Sequence, residues 1–145
     1  MAITTGNTTP IFIGSANLGI ARITASSSFA DGSGVLFTLL TASTDGTRVD
    51  AVRFRNSQTT AAISSNMVHR IFYSPINSSG SANCRLVGEL ATATATRSAT
   101  AIGATSIYTF DQPLIMPSGS ALFVGQSVYA SAADQFDAQA FAGNY

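Results

Sequence analysis

Apolar residues recur at every second position in short runs, and clusters of Gly, Pro, Asn, Asp and Ser separate the runs. This is the pattern of half-buried strands joined by turns. Leu18–Ala25 places Leu18, Ile20, Arg22 and Thr24 on one face and Ile23 on the other. Ser26–Gly34 is turn chemistry around a single Phe29. Val35–Ala42 and Thr47–Asn56 read as a hairpin closed at Asp45-Gly46, where glycine supplies the positive φ that a tight turn demands. In the second of these strands Val52 and Phe54 share one face, Arg53 and Arg55 project from the other, and Asp50 falls on the Val52 side.

Met67–Ser74 is a strand by its β-branched and aromatic content, with Met67, His69, Ile71 and Tyr73 on one face and Val68, Arg70 and Phe72 on the other. Either face could turn inward, and both are covered if one of them meets another subunit. Pro75–Asn83 is a loop, Cys84–Ala91 resumes as a strand, and Thr92–Thr105 is a long connection of small side chains with room for an edge-strand portion. Within Ile107–Met116, Pro113 argues for a sheet edge or a break. After the Pro117-Ser118-Gly119 turn, Ala121–Val128 and Phe136–Phe141 are the last strands. The spacing predicts an all-β chain: an antiparallel two-sheet β-sandwich of about eight strands. Met1–Gly14 is an extended arm with an apolar tip, Pro10-Ile11-Phe12-Ile13, and residues 15–145 form one domain. The arm either docks on its own sandwich or exchanges onto a neighbouring subunit.

Composition adds a functional constraint. Charged residues make up 10% of the chain and the formal net charge is zero, against roughly 25% charged residues in ordinary soluble domains. A surface this poor in charge tends to self-associate, which points to a protein that works assembled. Every basic residue is arginine, the cation favoured at interfaces where lysine is depleted. Without lysine to guard the sheet edges, neighbouring chains are left to cover them. There is no basic excess of the kind a nucleic-acid binder carries, so no direct nucleic-acid contact is expected. No stretch approaches the roughly 20 apolar residues of a membrane span, and Met1–Pro10 shows no secretion signal. Cys84 is the single cysteine and cannot form an internal disulfide.

The search for catalytic chemistry yields little. His69 is the only histidine, lies mid-strand without a nucleophile-elbow pattern, and reads as a structural or interface residue. Glu89 is the only glutamate; Asp134 and Asp137 flank Phe136 and suit a solvated turn better than an acid/base pair. One Cys and one His cannot make a structural zinc centre, and no ladder of acidic residues suggests calcium. No catalytic residue, metal or cofactor is expected. The distinctive polar feature is arginine: Arg48, Arg53, Arg55 and Arg70 cluster in the central strands, as a solvated sheet face or as an interface.

The ordered set of motifs resembles a known family. An Asp-Gly-Ser-Gly turn before an apolar strand (Asp31–Leu40), DGTRVDAVRFR, VHRIFYS, the PLIMPSG unit (Pro113–Gly119) and the terminal FDAQAFAGNY look like the small head-decoration, or capsid cement, proteins of tailed bacteriophages. The likeness runs from about Asn17 onward; the long arm and the Asn-Ser-rich Pro75–Asn83 segment depart from it. The resemblance implies a jelly-roll-like sandwich on the outer surface of an icosahedral capsid. It also implies a homotrimer that binds the major capsid protein and bridges neighbouring subunits, in a virion made in the host cytoplasm. The competing expectation is a carbohydrate- or receptor-binding sandwich from a virion surface or tail, weakened by the absence of tryptophan and by unclustered tyrosines. If Pro10–Ile13 and one arginine-bearing face meet the shell, deleting Met1–Gly14 abolishes capsid binding and leaves the fold intact. A truncated chain that still saturates capsids in a co-sedimentation assay would refute that role for the arm.

Overall fold

The period-two runs become eight strands: β1 (Ser15–Ile23), β2 (Phe37–Thr41), β3 (Thr47–Asn56), β4 (Met67–Ser74), β5 (Arg85–Thr92), β6 (Thr105–Met116), β7 (Ala121–Gln126) and β8 (Phe136–Asn144). The structure, a computed structural model, describes residues 14–25, 29–57, 66–95, 102–129 and 134–145, and those residues contain no α-helix. Two four-stranded sheets, β1-β8-β3-β6 and β2-β7-β4-β5, pack face to face. The first strand pairs with the eighth, the second with the seventh, the third with the sixth and the fourth with the fifth, all antiparallel. Successive pairs alternate between the sheets, so the chain is a long hairpin rolled up on itself. That is a jelly roll.

This topology corrects one local expectation. β2 and β3 are not a hairpin: they belong to opposite sheets. Asp45-Gly46 still makes the turn, with Gly46 at φ 97° and its N–H donated to the Ser43 carbonyl. The turn carries the chain across the sandwich, because β3 finds better partners in β6 and β8. The same pole is tied by Asn144, whose Oδ1 accepts from Asn17 Nδ2 at 2.8 Å and from the Thr47 hydroxyl at 2.7 Å. Strands from both ends of the chain are thereby locked to β3.

A second correction concerns β3 itself. Its pairing with β6 and with β8 shifts between Val49 and Ala51, a β-bulge. The bulge lets Thr47 and Val49 point inward before it and Val52, Phe54 and Asn56 after it. Asp50 therefore lies outward with Arg48, not on the Val52 side, and the two form an ion pair at 2.8 Å. Opposite the bulge, β6 accommodates Phe110–Pro113 between its two paired stretches, and Pro113 sits on this edge strand as expected.

Between the sheets, Val49, Val52, Phe54, Ile23, Phe136, Met116 and the small Ala138 and Ala140 meet Leu39, Leu40, Met67, Ile71, Leu122 and Val124. The inward face of β4 is thus the one carrying Met67, His69 and Ile71. Its other face is covered too, by the chain's own loops: Phe72, Phe123, Ala121 and Cys84 form a second buried cluster against Leu36. On that outer face Phe72 is buried by the chain itself, while Val68 and Arg70 stay half-buried.

The sheets approach closely at Gly19, on the β1–β2 side. A Cβ on Gly19 would stand 2.5 Å from the Leu39 carbonyl oxygen and 3.0 Å from Leu40 Cβ. Main-chain atoms cannot swing aside as a side chain can. Gly19→Ala is expected to lower stability by about 1–3 kcal/mol, the usual cost of overpacking, read as a drop in the urea midpoint. An unchanged midpoint would show that the sheets part freely there.

Candidate functional site

The register of β1-β8-β3-β6 sorts its outward side chains into rows. Leu18, Phe141 and Ala51 form one row; Ile20, Gln139, Arg53 and Ile107 the next; Arg22, Asp137, Arg55 and Thr105 a third. Apolar side chains on this face are open to solvent: Ile20 is 61% exposed, Leu18 and Ile107 57%, Ile115 55% and Phe141 38%. Scattered single apolar residues are normal on a surface. Here five large ones share one sheet face, interleaved with arginine.

Three of the four arginines on this face are held in place. Arg22 grips Asp137 with two bonds, Nε to Oδ1 at 2.8 Å and Nη2 to Oδ2 at 3.3 Å, and the hydrogen bond and charge of Asp137 raise its pKa further. Arg48 is paired with Asp50. Arg53 donates to Gln139 Oε1, and its guanidinium carbon lies 5.5 Å from the centre of the Phe141 ring, a cation–π contact. Arg55 is exposed and has no partner among the described residues. It lines two adjoining recesses, one of about 220 Å³ with Ile20, Arg53 and Gln139, the other of about 240 Å³ with Arg22 and Ser57. Asp137 borders both.

Arg48, Arg53 and Arg55 thus share one face: Arg53 and Arg55 by the period-two alternation, Arg48 because the bulge reverses the phase of the strand. Arg70 does not join them. It stands on the outside of the other sheet, paired with Glu89 at 2.7 Å, because β3 and β4 are central strands of different sheets. Pro10, Ile11, Phe12 and Ile13 lie outside the described residues; Gly14, the residue that follows them, donates its N–H to the Asn144 carbonyl at 2.8 Å. Ile107, Ile115 and Phe141 were not anticipated as part of a site. The available signal was in β1, where Leu18 and Ile20 lie opposite Ile23, leaving apolar residues on both faces of the strand.

Other chemistry is spread out. Asp134 is buried, a correction to its reading as part of a solvated turn, and its backbone carbonyl receives the Gln126 side-chain amide at 2.8 Å. Asp137 lies on the outer face with Arg22, so the two carboxylates do not form a pair. Cys84 is buried, which pushes its thiol pKa up and leaves it a poor nucleophile. Among the described residues no cluster of three His, Cys, Asp or Glu could hold a metal ion. Tyr108 is used internally: its hydroxyl bonds the Val87 carbonyl at 3.1 Å and its ring meets Phe110 edge-on. No family model and no curated protein matches the chain.

His69 sits between the sheets, stacked on Phe54 at 4.6 Å and against Phe136 at 4.4 Å, with no solvent exposure. Neither ring nitrogen has a hydrogen-bond partner. It cannot reach a substrate there. Burial lowers its pKa from 6.5 to about 4. The unfolded chain therefore takes up a proton as pH falls through 6.5 while the folded chain does not until about 4. Stability is full above the unfolded value and is lost as pH drops toward the folded one. The expected loss between pH 7 and 5 is about 2 kcal/mol, measured by urea unfolding, and His69→Leu should flatten it. Equal slopes in the two proteins would show that another group is responsible.

Proposed function

We propose that this chain is a virion structural protein that binds the outside of an icosahedral phage capsid and stabilises it by bridging neighbouring capsid subunits. The observation that carries the reading is the outer face of β1-β8-β3-β6, with Leu18, Ile20, Ile107, Ile115 and Phe141 exposed on a chain of only 10% charged residues. Such a face gains free energy by being covered. The ordered motifs from Asp31 to Tyr145 that resemble phage head-decoration proteins supply the kind of partner. The jelly-roll body fits the same reading, being a rigid support that leaves a broad sheet face for contact.

In this role the protein performs no chemistry. Its work is mechanical: a homotrimer on the major capsid protein resists the pressure of packaged DNA, and the buried His69 and Cys84 serve packing. Each contact needs on the order of 800 Å² per partner to be specific. Repetition around the shell multiplies modest contacts into firm attachment. Electron microscopy of particles grown with and without this chain tests the reading. Added density on the outer capsid surface and greater resistance to heat or osmotic shock are expected; particles indistinguishable in both respects would overturn it.

A further inference from the structure

The two outer surfaces of the sandwich are unequal. On β2-β7-β4-β5 the chain covers its own apolar residues, burying Phe72 and Phe123 under Leu36 and the Cys84 loop. No described residue does the same for β1-β8-β3-β6. On β1, β3 and β8 that face holds an excess of cations, Arg22, Arg48, Arg53 and Arg55 against Asp50 and Asp137, while Asp111 is exposed on the edge strand β6, in a chain of zero net charge. The excess is concentrated at one point. In the row Arg22–Asp137–Arg55 the carboxylate is taken up by Arg22, which leaves Arg55 unpaired beside Arg53.

Charge complementarity selects the occupant. Two copies meeting by this face would oppose like charges, which is costly once water is displaced. An acidic side chain would instead extend the alternation of the row, accepting paired hydrogen bonds from the Arg55 fork. Ile20 lines the same recess, and Leu18 and Phe141 lie in the neighbouring row. We infer that this face docks a partner protein surface that inserts an Asp or Glu, flanked by apolar side chains, into the recess beside Arg55. The inference rests on the proposed capsid binding; it names the sheet that meets the shell and the chemistry that sheet recognises.

The test titrates the full chain against capsids purified from the phage that encodes it, grown without this protein. Arg55→Glu is expected to weaken binding at least about tenfold. Arg55→Lys, which keeps the charge but loses the fork, should fall between. Ile20→Asp should also weaken binding, and added salt should weaken the wild type more than Arg55→Glu. Melting temperatures should not change for the Arg55 variants, since that side chain has no partner to lose. Arg70→Gln, on the opposite sheet, should bind as wild type. If the wild type binds but Arg55→Glu and Ile20→Asp bind equally well, the docking face is wrong and the capsid reading stands. If the wild type binds no capsid, both fall. If the substitutions disrupt self-association in sedimentation and spare capsid affinity, the occupant is a second copy and the inference is overturned.

Discussion

Phe54 and Phe136 from one sheet close on His69 from the other, and this inter-sheet stack fixes much of the sandwich at that end. An imidazole held this way contributes as a flat, uncharged ring. The stack works only while His69 stays neutral, and burial among aromatic rings is what keeps it so. Its two unpartnered nitrogens are a cost that the surrounding apolar packing must offset. With the strands around the stack held in register, the side chains on their far surfaces have little freedom to rearrange.

The outer surfaces then take different roles. One is sealed from within, because Gly32 at φ 84° lets its loop come down on Cys84; a Cβ there would approach Cys84 Cβ to 2.9 Å. The other carries isoleucine, leucine and phenylalanine in rows with arginine. Such a surface combines a reason to leave water with the means to choose what replaces it: apolar area supplies drive, and guanidinium forks supply direction. The arginines spread across that sheet, and the sole histidine lies beneath it.

Much of the fold was legible because a sandwich strand has one buried and one open face, so alternation survives in the residue order. β1 was visible in this way, β4 through its β-branched and aromatic content, and the edge position of β6 through Pro113. Pairing was not. Ser15 meets Asn144 and Thr41 meets Ala121, partners that no local pattern can name. The Asp45-Gly46 turn was read correctly as a turn and wrongly as a hairpin, since turn chemistry specifies a reversal without specifying the sheet. The arginine face was half legible: Arg53 and Arg55 follow from period two, but Arg70 was assigned to the same cluster because central strands of different sheets look alike in sequence. Asp134 looked like turn chemistry because local composition does not show its burial, where its carbonyl accepts from Gln126 of β7.

Val49 and Val52 both point into the core although three positions separate them, which no unbroken pleat allows. β3 is therefore two segments in opposite phase, joined by a single dislocation at Asp50 and Ala51. Loss of Asp50 would let one unbroken pleat run from Thr47 to Asn56, with Val49, Val52 and Phe54 still inward and Arg48, Arg53 and Arg55 still outward. The extra residue thus adds an outward carboxylate, the partner of Arg48, while leaving unchanged which side chains of the strand fill the interior.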